Sequence, residues 1–243
     1  MAHLPATTPR MVIAWCPPML HEQPTSVRLF SLLAEELTGR GVASLRLDYR
    51  GSGDSPGDSE SLTLAGAAGD AGAVVDWLAE QLPGVPAMVA GARAGAFPAA
   101  VVAQRRSLPL LLWQPVPTGA QWLRELHALD AQERFSTHRF PFLSPDELAE
   151  VPSDCLMGFR TGARLRRELM DAVVTPGLAA ILVDEEPSPP GEHPGSMGFI
   201  ALTQALASWT GKVDAPGRFP NRDIARIAES LSDRLHWLVR EAA

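Results

Sequence analysis

Short apolar runs and longer stretches of helical period alternate along most of the chain. Met11 to Trp15 (MVIAW) is an apolar run closed by Pro17 and Pro18, and it reads as a buried strand. From Thr25 onward Val27, Phe30, Leu33, Ala34 and Leu37 recur at helical spacing until Gly39 and Gly41 end the pattern. The run VASLRLD is the next strand candidate, broken by the turn-rich stretch RGSGDSPGD. A second helix is expected from about Leu62, with Leu64, Ala67, Ala71, Val74, Leu78 and Leu82 on one face and Pro83-Gly84 at its end. The order then repeats as strand VPAMVA, a glycine-flanked turn, a helix to about Arg106, and strand LPLLLW. Farther on, LAAILVD supplies a strand and Phe199 to Trp209 a helix. Ile224, Ile227, Ala228, Leu231, Leu235 and Leu238 form the inner face of a final helix. Strands alternating with helices predict an α/β fold with a mostly parallel sheet and helices on both faces.

The interval from Thr118 to Pro176 breaks that rhythm. It carries helix-like pieces (QWLRELHALD and ARLRRELMDA) and no strand signal. An insertion of this kind, about 118–176, is expected to form a small helical cap over a pocket within one domain spanning 1–243. Its wide apolar faces suit either a pocket cover or a homodimer contact.

Composition narrows the function classes. The chain has 243 residues, 46% of them hydrophobic, enough for one large core. Lys plus Arg number 21 against 28 Asp plus Glu, a net charge of -7, and no basic run occurs, so a nucleic-acid surface is not expected. The two cysteines, Cys16 and Cys155, stand in no metal-ligand spacing, which fits a reducing compartment without a disulfide framework or a metal site. No run approaches the ~18 apolar residues of a membrane span. A soluble, cytoplasmic protein is expected, without a membrane partner.

Four motifs carry candidate chemistry. The stretch LRLDYRGSGDSPGD has glycines at 51, 53 and 57 for a tight turn, and Asp48 and Asp54 suited to bonding local N–H groups; it completes no G-x-G-x-x-G, so no nucleotide cofactor is implied. GARAG, residues 91–95, has the glycine spacing of the strand-to-helix turn that presents a nucleophilic serine, but Arg93 holds the central place. An arginine is permanently protonated and serves neither as nucleophile nor as general base. It grips a carboxylate or phosphate, helped by the N–H of Ala94 at the following helix start, or it pairs with an internal carboxylate. In CPPMLHE the prolines have no N–H to give, which leaves Met19 and Leu20 as donors to a ligand oxygen. His21 and Glu22 have both a catalytic and a structural reading, and Glu22 is the expected ion-pair partner of Arg93. In ILVDEEPSPPGEHPG, Asp184 ends a strand where a hydrolytic site often places its acid; the histidine expected beyond the next strand is missing from KVDAPGRFPN, and His193, in the loop after Asp184, serves as a base only by swinging in and otherwise reads as a solvated loop residue.

Together these blocks resemble one group within the α/β-hydrolase fold, the serine-aminopeptidase-like proteins that include exosortase A system-associated hydrolases. CPPMLHEQPTSVRLFSLLAEELTGRGVASLRLDYRGSGDSPGD resembles that group's opening block, GARAGA its arginine-bearing elbow, and LLLWQPVPTGAQWLREL the segment leading into its cap. The likeness covers the first two-thirds of the chain and thins after about residue 135, and the N-terminal hairpin of the larger fold is shortened. The resemblance implies a degenerate hydrolase acting as an accessory protein of a secondary-metabolite or exopolysaccharide pathway, binding a small anionic or acyl ligand. Two other readings stay open: an unorthodox enzyme in which Asp184, Glu22 or His193 moves a proton while Arg93 stabilises negative charge, and a purely structural module.

Overall fold

The computed structural model describes residues 1–134, 144, 146–147, 154–174, 180–185, 196–207 and 219–241. Its strands are β1 (Ala2–His3), β2 (Met11–Cys16), β3 (Val42–Arg46), β4 (Ala87–Ala92), β5 (Leu110–Trp113), β6 (Cys155–Leu156), β7 (Phe159–Arg160), β8 (Ala180–Asp184) and β9 (Ser196–Ala201). Its helices are α1 (Glu22–Thr38), α2 (Leu64–Gln81), α3 (Ala96–Arg106), α4 (Gly119–Arg134), α5 (Ala163–Asp171), α6 (Gln204–Ala207) and α7 (Asn221–Glu241). The main sheet runs β1-β3-β2-β4-β5-β8-β9, parallel throughout except for β1 against β3.

The central strands read as unbroken apolar runs because both faces of the sheet are covered. Within each strand, alternate residues still divide between two cores. Val12, Ala14 and Cys16 of β2 join Val89, Leu110, Leu112 and Leu182 beneath α2 and α3. Met11, Ile13 and Trp15 join Met88, Ala90, Leu111, Trp113 and Ile181 on the face covered by α1 and α7. Trp15, Phe30 and Trp113 cluster there in tilted and edge-to-face contacts, with ring centroids 4.9 to 6.5 Å apart.

Helix boundaries follow local chemistry. Pro24 sits in the first turn of α1, where its missing N–H costs nothing, and Gly39 and Gly41 close the helix. The Thr63 hydroxyl caps α2 by accepting the Gly66 N–H at 2.9 Å. Val27, expected on the buried face of α1, is 39% exposed, and Leu29 takes the inner position instead.

Two elements differ from the sequence pattern. The expected helix from Phe199 to Trp209 is, as far as Ala207, a strand followed by the short α6, and residues 208–209 lie outside the described residues; β9 pairs in parallel with β8, Leu182 opposite Phe199 and Val183 opposite Ile200. Pairing at the end of an existing sheet overrides the helical spacing of that run. The insertion contains a small hairpin, β6–β7, turned by Met157 and Gly158 with φ of 52° and 83°. Two left-handed residues make a type I′ turn, and the strands are too short to leave a pattern in the sequence.

Most of the insertion's other described residues form α4 and α5, which lie together. The Gly119 N–H bonds to Ala172 O at 2.9 Å, and a Cβ on Gly119 would stand 2.2 Å from Leu169 O. Trp122, Leu123, Leu126, Leu156, Leu165 and Leu169 are buried in the same core as α2 and α3, so the apolar face of this segment is used within the chain. Met170 and Val173 remain exposed. The Glu168 carboxylate ties α5 to the start of α2, accepting the Leu64 N–H at 2.6 Å and the Ala65 N–H at 3.2 Å.

Candidate functional site

The turn between β4 and α3 is fixed by its glycines. A Cβ on Gly91 would stand 2.6 Å from the Ala96 Cα and from Gly95 O, and one on Gly95 would meet Pro17 O at 2.3 Å and Cys16 O at 2.4 Å. All four distances are far below van der Waals contact. Between them Arg93 adopts φ 49°, a left-handed conformation that side-chain-bearing residues rarely take. Arg93–Gly95 make one 3-10 turn and α3 follows directly. Since β4 lies between β2 and β5, the Arg93 side chain stands at the carboxyl edge in mid-sheet, where open α/β sheets bind ligands.

The loop after β2 faces this turn. Leu20 also has a positive φ, 54°, and Met19 and Leu20 are buried. Among the described residues no backbone oxygen accepts the N–H of Met19 or Leu20. Ala94 is buried at the opening of the helical segment, where the first N–H groups have no intrahelical acceptor. The start of α1 is braced by the turn after β3: Gln23 Nε2 donates to Asp48 Oδ1 at 2.8 Å, Ser52 Oγ donates to Gln23 Oε1, and a Cβ on Gly53 would meet Asp48 Cγ at 2.6 Å. Asp48 therefore has a structural task in placing Glu22.

Two carboxylates converge on Arg93. Its Nε donates to Glu22 Oε1 at 3.0 Å, and its Nη2 donates to Glu125 Oε2 at 3.1 Å. Glu22 is 2% exposed, and its Oε2 is buried without a hydrogen-bond partner among the described residues. Glu125, on α4, keeps 45% of its side chain exposed and is steered by Gln121 Nε2, which donates to its Oε1 at 2.9 Å. Pattern reading named Glu22 and missed Glu125. The Gln121–Glu125 spacing of four marks a polar stripe on α4 but not which way that stripe faces.

The electrostatics separate the two pairs. Burial pushes the Glu22 carboxyl upward, and the Arg93 charge pulls it back. Burial opposes the Arg93 charge as well, yet Glu22 and then Glu125 hold the guanidinium above its ordinary value. Removing one member of a buried pair typically costs about 3–5 kcal/mol, whereas an exposed pair contributes about 0–1 kcal/mol. Glu22 is thus the fixed counter-ion and Glu125 the exchangeable one.

Beside this pair lies His21, which is 6% exposed and has neither ring nitrogen hydrogen-bonded among the described residues. Burial, helped by Arg93, lowers its imidazole to about 4, so it is neutral near pH 7. The Trp122 indole lies close enough to favour the Glu22 charge, though its N–H makes no hydrogen bond of good geometry among the described residues. Cys16, beneath the turn, is no nucleophile, because burial raises its thiol to about 12.

Asp184 ends β8, separated from β4 by β5, and its Oδ1 accepts the Glu185 N–H at 2.7 Å. His193 lies outside the described residues. Among the described residues no cluster of His, Cys, Asp and Glu is arranged to hold a metal, and no helix is long and apolar enough to cross a membrane.

The fold that carries this turn is also found in known structures. Est1E from Butyrivibrio proteoclasticus, solved with ferulic acid bound, superimposes with a TM-score of 0.60 at 18% identity, over 97% of this chain and 92% of that one. The fold is that of the α/β hydrolases. A soluble variant of monoglyceride lipase from Saccharomyces cerevisiae aligns with a TM-score of 0.59 at 12% identity, covering 97% of this chain and 89% of its own. A serine hydrolase without a lid from Xanthomonas campestris gives 0.55 at 15% identity, over 98% and 87%. No protein-family model and no curated protein sequence matches the chain.

Proposed function

We propose that this α/β-hydrolase-fold chain is a binding protein that does not hydrolyse by a serine mechanism and that holds a small anionic or acyl ligand at the elbow. The observation that carries this reading is the residue at the centre of the turn. A guanidinium occupies the place from which a nucleophile would act, and it is bonded to Glu22 and Glu125. It gives up no proton and attacks no carbonyl. What remains is recognition: Arg93 Nη1 makes no hydrogen bond among the described residues, and the N–H groups of Met19 and Leu20, on the loop that meets the turn, bond to no backbone oxygen there. Est1E was solved with a carboxylic acid bound, which is compatible with an acidic ligand in this fold. The accessory role in a biosynthetic pathway comes from the sequence resemblance.

The test is an assay of wild type and Arg93→Ser with p-nitrophenyl acetate and butyrate, run beside a fluorophosphonate probe. Wild type is expected to be silent and unlabelled. Efficient hydrolysis with labelling of wild type would sink the reading.

One observation favours a second reading, a non-serine enzyme. His21 is a neutral, buried base beside a fixed cation, and Glu22 is a carboxyl of raised pKa. Wild-type turnover of a substrate without fluorophosphonate labelling, lost in Glu22→Gln or His21→Gln, would favour it over binding alone.

A further inference from the structure

Resting on that reading, we propose that the ligand group recognised at the elbow is a carboxylate, and that Glu125 occupies its place in the free protein. Arg93 carries one positive charge and faces two carboxylates. Glu22 alone balances that charge and, being buried, stays in place. Glu125 is the surplus partner, a half-exposed side chain reaching in from α4.

The surroundings of Glu125 describe a socket. One carboxylate oxygen takes the Arg93 Nη2 hydrogen bond at 3.1 Å, and the other takes the Gln121 Nε2 hydrogen bond at 2.9 Å. Both oxygens of a planar monoanion are thereby recognised by separate donors. A ligand carboxylate that displaces Glu125 keeps the same donors and the same net charge beside Glu22, while Glu125 swings into water. A phosphate dianion would add an unbalanced charge next to the buried Glu22, so a carboxylate fits better.

The experiment uses the full chain with sodium butyrate, its neutral counterpart butyramide, and inorganic phosphate, followed by saturation-transfer NMR and calorimetry. Glu125→Ala is expected to bind butyrate about tenfold more tightly than wild type, a difference of about 1.4 kcal/mol. Glu125→Gln is expected to show a smaller gain, since its amide still fills the space. Gln121→Ala in the Glu125→Ala background is expected to lose part of that gain, and butyramide is expected not to bind. Equal butyrate affinity in wild type, Glu125→Ala and Glu125→Gln would overturn the proposal, as would equal binding of butyramide or tighter binding of phosphate. The wider reading fails separately. Should wild type hydrolyse the nitrophenyl esters, that reading falls whatever butyrate does; should it stay silent with butyrate indifferent to Glu125, only the socket is refuted.

Discussion

The elbow and the insertion between β5 and β8 meet at Arg93, but they are held by different physics. At the elbow the backbone itself is the constraint: Gly91 and Gly95 leave no room for a side chain, and Arg93 is kept at φ 49°. The insertion reaches the same point through side chains, with a buried apolar face beneath and the Glu125 and Glu168 carboxylates at its edges. Steric constraints of the first kind have no partial failure. Charged contacts near water can open singly while the apolar face stays packed. The difference places rigidity on the sheet side of the site and adjustability on the α4 side.

Three measurements would break or sharpen that contrast. The largest effect is expected from Gly95→Ala, whose Cβ would stand 2.3 Å from Pro17 O. The two strand ends must separate to admit it, at a cost of about 4 kcal/mol or more in urea unfolding. A loss near 1 kcal/mol would mean that the elbow yields and is not the rigid side.

Next comes the pair of carboxylates. Glu22→Ala leaves Arg93 buried beside only the exposed Glu125, and about 3–5 kcal/mol of stability should go with it, against about 0–1 kcal/mol for Glu125→Ala. Similar losses from both would erase the distinction between fixed and exchangeable partner.

The smallest effect concerns pH. The His21 imidazole is lowered from 6.5 to about 4, so the stability tied to its neutral form is present above 6.5 and is lost as the pH falls through 4. Glu22, whose carboxyl is raised, acts in the opposite sense and stabilises more at low pH. The His21 contribution is therefore read as a difference: between about pH 7 and about pH 5, His21→Gln should lose less stability than wild type. Parallel pH profiles for the two proteins would show that His21 is solvated when folded.

Much of the sheet was legible because its strands are apolar on both faces and bounded by glycine and proline, as with MVIAWC and LLLW. β9 was misread because SMGFIALTQALASW carries helical spacing, and only its place beside β8 makes it extended. The β6–β7 hairpin escaped notice because strands of two residues leave no alternation to detect. At the site, the spacing of GARAG announced the turn, and Glu22 followed from a loop that had to lie opposite it. Glu125 did not follow, since its approach to Arg93 depends on how α4 rolls on Trp122 and Leu126. A tertiary rotation of that kind has no local signature.

The left-handed backbone at position 93 has a consequence for redesign. Unbranched side chains pay a similar conformational penalty there, while Asn and Asp pay less and β-branched residues more, so exchanging Arg93 for Lys or Gln tests its contacts with little interference from the chain path. The elbow works as a fitting with a fixed rim and an interchangeable insert: the flanking glycines decide whether the fitting exists, and the occupant decides what is presented at the sheet's edge.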